Sequence, residues 1–236
     1  MLYFWYMNHD RTSEIIIPAI MPFVEEDIEN QVAQVSGVVD YVQIDLMDGV
    51  FVSQASWPYE DQVFALSEIH ALEEVIKKFP ETKFEVDLMV EHALSLAPVL
   101  VRAGVHRVVF HHKTINDPVE VIQFKEENSD IEVGIALHVD DKPEVALSYK
   151  NSLSLVQCMG IEKVGYQGQE FSEKSLEVIA EVHRLLPHLP IQVDGGVSFE
   201  TIQKLADAGA YRFVVGSVIS RSKNPQDTIH QLAEKI

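Results

Sequence analysis

Cysteine is nearly missing from this chain: among 236 residues only Cys158 carries a thiol. One thiol cannot close an intramolecular disulfide or build a zinc site from thiolates alone, so a reducing cytoplasm is the expected compartment. Positive charge is scarce too, with 18 Lys and Arg against 37 Asp and Glu, a net charge of -19. That balance argues against nucleic acid and against anionic membrane as partners, because both select basic surfaces. A small anionic substrate stays open, since a local site can oppose the global charge. Residues 1–14 read as an N-terminal extension. Its opening "MLYFWYM" is too short to span a bilayer, lacks the basic leader of a signal peptide and runs into "NHDRTSE". Packing on the body of the protein is the preferred reading, because exposed aromatics are a liability; the alternative is a true start at Met7. Linkers rich in Gly, Pro or Ser are missing as well, so residues 15–236 read as one domain.

What the chain does have is repetition of form. Apolar, β-branched runs of six or seven residues recur at Ile15–Ile20, Tyr41–Leu46, Lys83–Leu88, Arg107–His112, Glu132–His138, Ser154–Met159, Ile191–Gly196 and Arg212–Ser217. Amphipathic helical segments such as "SLEVIAEVHRLL" and "TIQKLADAGA" lie between them. Strict β/α alternation predicts a parallel sheet, and eight units predict a closed (β/α)8 barrel, which this length accommodates. The longest connection runs from Val52 to about Pro80, and "SQASWPYEDQ" at its start is a candidate lid.

In such barrels the reactive groups stand where the strands end. Asp45 and Asp48 follow the second strand, Asp87 the third, His111 and His112 the fourth and His138 the fifth. Met159 and Gly160 follow the sixth, Asp194, Gly195 and Gly196 the seventh, and Gly216 and Ser217 the eighth. Glycines let a backbone approach a ligand closely, and free N–H groups at a helix start favour an anion. Two such turns at adjacent strand ends point to a phosphate site at Gly195, Gly196, Gly216 and Ser217, with Gly165, Gly168 and Gln169 closing over it. The plainer reading of one glycine pair is a tight turn.

Several stretches resemble the ribulose-phosphate 3-epimerase family. "QIDLMDGVFV" is similar to that family's His-x-Asp-x-Met-Asp-Gly-x-Phe-Val, "EVDLMVE" to its third strand and "MGIEKVGYQGQEF" to its Pro-Gly-Phe-Gly-Gly-Gln-x-Phe loop. "VDGGV" and "VVGSVI" match its two phosphate-binding turns, and the likeness runs from about Pro18 to Ser217. It implies an isomerase that moves the C3 proton of a ketopentose 5-phosphate through an enediolate, with Asp45 and Asp194 as the two acid–base groups on opposite faces of the sugar. It implies a substrate pocket shaped by Met47, Met89, Met159 and His111, and it allows a homo-oligomer. For the methionines, core filling is an equal reading, and for His111 a satisfied interior histidine is preferred. Of the two adjacent histidines, only one can face the barrel interior.

The likeness breaks at the metal site. The family's two histidine ligands are replaced by Gln43 and Asp87, which leaves Gln43, Asp45, Asp87 and Asp194 as the ligand set. Such oxygen donors suit Mg²⁺ or Mn²⁺ better than Zn²⁺. The alternative is no metal, with crowding that holds one carboxylate protonated as an acid. A capping role is the plainer reading of Asp45 and, with more weight, of Asp87; Asp48 reads as a turn residue. Two other functions stay open: epimerisation of a hexulose 6-phosphate, and sugar-phosphate binding without chemistry. The related decarboxylase and synthase group carries Asp-x-Lys-x-x-Asp on the third strand; here Met89 and His92 replace the Lys and the second Asp.

Overall fold

The computed structural model describes residues 12–166 and 168–236; the aromatic opening of the N-terminal extension lies outside them. Eight parallel strands close into a barrel: β1 (Ile16–Ile20), β2 (Tyr41–Met47), β3 (Lys83–Met89), β4 (Arg107–His111), β5 (Glu132–Leu137), β6 (Leu155–Met159), β7 (Ile191–Asp194) and β8 (Arg212–Val215). Strands neighbour one another in chain order, and β1 closes the ring by pairing with both β2 and β8. Each sequence run supplies one strand, with ends shifted by a residue or two.

Alternation along a strand sorts its side chains between two environments. On β2, Val42, Ile44 and Leu46 join the main apolar cluster beneath the helices, while Gln43 and Asp45 hydrogen-bond across the interior. Helix Glu25–Val35 buries Ile28, Val32 and Val35, a spacing of four and three that makes one stripe. Asp27 closes its start by accepting from the N–H groups of Phe23 and Val24 at 2.8 and 3.1 Å. Helix Pro118–Glu127 starts on Asp117, whose side chain accepts from Val119 N, with Pro118 at the position where a missing N–H costs nothing.

The fifth crossover departs from the α-helical expectation. It is a 3₁₀ helix, Pro143–Tyr149, that buries Ala146 and Tyr149. Three residues per turn put these two on one face, which suits a short connection opened by proline. The long connection after β2 holds a two-stranded ribbon, Tyr59–Glu60 with Val63–Phe64, turned through Asp61 and Gln62 at positive φ. It touches the loop after β6, where the Tyr166 and Ser53 hydroxyls hydrogen-bond. Among the described residues no helix is long and apolar enough to cross a membrane.

Candidate active site

Register brings the carboxylates together. Asp45 pairs directly with Asp87 across β2 and β3, and Met159 pairs with Asp194 across β6 and β7. One carboxylate oxygen from each of Asp45, Asp87 and Asp194 lies within 4.8 Å of the other two. Two amides tie the cluster. Gln43 Nε2 donates to Asp45 Oδ1 at 2.8 Å and to Asp194 Oδ2 at 3.0 Å, and Gln157 Nε2 donates to Asp87 Oδ2 at 3.2 Å. One layer deeper, Gln192 Nε2 donates to Gln157 Oε1 at 2.8 Å, to Gln43 Oε1 at 3.4 Å and to Glu85 Oε1 at 2.6 Å.

This arrangement corrects the expectation for Gln43. Its nitrogen, not its oxygen, faces the carboxylates, because two anions select the N–H₂ end of the amide and Gln192 holds the oxygen from below. The side chains that could hold a cation are therefore the three aspartates. Asp87 Oδ1 is buried 3.0 Å from His111 Nε2 but outside hydrogen-bonding alignment, so it keeps lone pairs free. Three hard oxygen donors and a free lone pair fit a divalent cation of the Mg²⁺ or Mn²⁺ type.

The electrostatics raise the proton affinity of this cluster. Burial, then the charges of Asp194 and Asp87, push the Asp45 carboxyl well above its ordinary range. Burial and Asp87 raise Asp194 to about 8, against the opposing hydrogen bond from Gln43. Carboxyls with raised affinity for protons can act as acids near neutral pH, and their ionised forms as bases.

Asp45 and Asp194 form part of the wall of an open cavity of about 430 Å³ at the C-terminal mouth. Met89, Met159 and Met21 line it as well, as do Gly168, Gly195, Gly196, Gly216 and Ser217. Gly195 has φ +92°, and a side chain there would collide with Ile161 at 2.8 Å, so the turn requires glycine. The helix that starts at Ser217 ends at Ser220. One turn carries little macrodipole, so any anion here is held by individual donors rather than by a helix terminus.

Two expected pocket residues stand behind the wall. Met47 is fully buried against Val52 and Met89. His111 is also fully buried; its Nε2 faces Asp87 and its Nδ1 meets His138 Nε2 at 3.0 Å, so it positions Asp87. His112 points outward to the Tyr149 hydroxyl at 3.2 Å, as adjacent strand residues must. Asp48 is a turn residue: Oδ1 accepts from Val50 N and Phe51 N, and Oδ2 from Glu91 N, linking the loops after β2 and β3. Cys158 is buried, and burial pushes its thiol up to about 12.

The interior glutamines Gln157 and Gln192 and the acid Glu85 escaped the sequence reading. A signal existed, since each lies two residues before a strand-end residue of the mouth, so period-two alternation points it into the same barrel.

Eight strands with clustered carboxylates and glycine turns at the C-terminal mouth define a (β/α)8-barrel enzyme site. The chain belongs to the ribulose-phosphate 3-epimerase family, whose sequence profile matches residues 15–220. It is 27% identical over 205 residues to the ribulose-phosphate 3-epimerase of Candida glabrata, covering 84% of this chain and 81% of that one. It is 28% identical over 197 residues to that of Schizosaccharomyces pombe, covering 84% and 82%. Its fold is similar to that of a 3-hexulose-6-phosphate synthase, with TM-score 0.69 and 19% identity over 94% of this chain and 99% of that one.

Proposed function

We propose that this protein interconverts D-ribulose 5-phosphate and D-xylulose 5-phosphate. The observation that carries the reading is the pair Asp45 and Asp194: two carboxyls with raised proton affinity in one cavity wall, bridged by Gln43. One, ionised, takes the C3 proton, and the C3–H electron pair becomes the C2–C3 double bond of an enediolate. The other, protonated, returns a proton to C3 from the opposite face, and the roles exchange in the reverse direction. The buried amides of Gln43 and Gln157 hold the carboxylates in place, so little reorganisation is needed during the proton transfers. Met89 and Met159 keep the reacting end of the cavity poor in water. A hard divalent cation held by Asp45, Asp87 and Asp194 would supply positive charge against the enediolate oxygens. The phosphate would sit at the glycine turns after β6, β7 and β8. Met89 at the position of the synthase group's lysine supports epimerisation over decarboxylation. We place the protein in the cytoplasm, where its single buried thiol stays reduced.

Proton NMR of ribulose 5-phosphate in D₂O, with Mg²⁺ or Mn²⁺ and with chelator, tests this. Loss of the C3 signal with growth of xylulose 5-phosphate is the expected outcome, and the chelated sample reports the metal requirement. Exchange without xylulose 5-phosphate would mean that the two-base scheme fails. No exchange in either sample would reject this substrate and turn the reading to a hexulose 6-phosphate or to binding without chemistry.

A further inference from the structure

We infer that Arg221 binds the phosphate and so sets the preference for phosphorylated over free sugars. The inference rests on the sugar-phosphate reading of the cavity and names the group that makes it work. Arg221 lies one residue beyond the segment that matches the family, so the family likeness does not assign it. It follows the short helix after β8, and its backbone N–H donates to Ser217 O at 3.2 Å. Its side chain lines the cavity at the end where Gly168, Gly196, Gly216 and Ser217 converge. Its Nη2 stands 3.8 Å from the point that a Cβ on Gly168 would occupy, so it spans from the end of the barrel to the loop after β6.

Charge balance makes this position decisive. Among the described residues lining the cavity, Arg221 is the sole cation, and it shares the wall with Asp45 and Asp194, which cluster with Asp87. The chain as a whole carries -19. A phosphate dianion entering such a mouth meets repulsion from every other ionised group. Backbone N–H groups at the glycine turns can orient it but bring no net charge. A guanidinium presents a planar fork that matches two phosphate oxygens, and its charge persists at every working pH. In a chain where acids outnumber bases two to one, it makes no ion pair and no side-chain hydrogen bond among the described residues. It is exposed, so its donors are free and binding breaks no internal contact.

The test compares wild type, Arg221→Met and Arg221→Lys. Two readouts are used: steady-state epimerisation of ribulose 5-phosphate, and affinity for inorganic phosphate by calorimetry in a buffer free of other oxyanions. Loss of a charged hydrogen bond of this kind weakens binding by about 10- to 100-fold. Arg221→Met should raise KM and the phosphate Kd by that factor, lower kcat much less and leave Tm unchanged, with Arg221→Lys recovering part of the loss. KM and phosphate Kd within about twofold of wild type in Arg221→Met would overturn the assignment, as would a wild type that binds no phosphate. If wild type binds phosphate, loses it in Arg221→Met and turns over nothing, the epimerase reading falls and the phosphate site stands.

Discussion

The two ends of this barrel both bury charge, and they treat it in opposite ways. At the N-terminal end, Arg107 and Glu85 are completely buried and joined at 2.7 Å. Arg107 also binds Glu132 at 2.6 Å and stacks 3.8 Å from the centroid of the Tyr41 ring. Each buried acid there has a cationic partner. At the mouth, Asp45, Asp87 and Asp194 crowd together with amides and His111 around them, and among the described residues no Lys or Arg pairs with them. Burying charge costs several kcal/mol per ion unless a partner offsets it. The lower end meets that cost with ion pairs and serves as structure. The upper end leaves it unmet, so its carboxyls hold protons far above their ordinary range. That imbalance marks it as the candidate for chemistry.

Separating these roles by mutation is the sharpest test. Asp45→Asn or Asp194→Asn should lower kcat by about 10²- to 10⁴-fold, the usual worth of a positioned acid or base. Neither should destabilise the fold, because each removes like-charge repulsion; NMR exchange and thermal melts together check both halves. Arg107→Met should do the reverse. It leaves Glu85 and Glu132 without their partner and should cost about 3–5 kcal/mol in urea unfolding, with kcat of the folded protein close to wild type. A large loss of kcat in Arg107→Met at full folding would erase the distinction.

Metal and proton should compete at the upper end alone. Mg²⁺ or Mn²⁺ at a hundred times its Kd should raise stability by about 2.7 kcal/mol, and Asp87→Asn should abolish that gain. Without metal the pH dependence has a defined sign. Asp194 is raised in the folded state to about 8 from a usual 3.8, so the folded protein holds this proton more tightly than the unfolded chain. Its contribution is fully present below about pH 4 and is lost as pH rises through about 8. Unfolding free energy measured across that window should fall in wild type and flatten in Asp194→Asn.

Gln192 joins the two ends, because its one amide nitrogen meets Glu85 below and Gln157 and Gln43 above. Gln192→Leu should cost about 1–3 kcal/mol from orphaned buried acceptors. It should also lower kcat modestly as Gln43 and Gln157 lose their anchors. A double-mutant cycle with Asp194→Asn measures how far the lower layer tunes the upper one; zero coupling would make the ends independent.

The sequence by itself determined the barrel. Eight β-branched runs separated by amphipathic segments leave few ways to bury their apolar faces, and period-two alternation fixes which residues look inward. It also placed Asp45, Asp87 and Asp194 at strand ends and glycines at the turns after β7 and β8, because strand ends in this fold form one mouth. Tertiary structure alone decided the rest. Whether Gln43 offers oxygen or nitrogen depends on Gln192, which lies 149 residues away in the chain. Met47 reads equally as pocket or core, and His111 preferably as a satisfied interior histidine; that a neighbouring layer covers both is a property of packing. The raised proton affinities arise because register and closure bury three carboxylates together, with no Lys or Arg among the described residues paired to them, and such a coincidence in space leaves no mark along the chain.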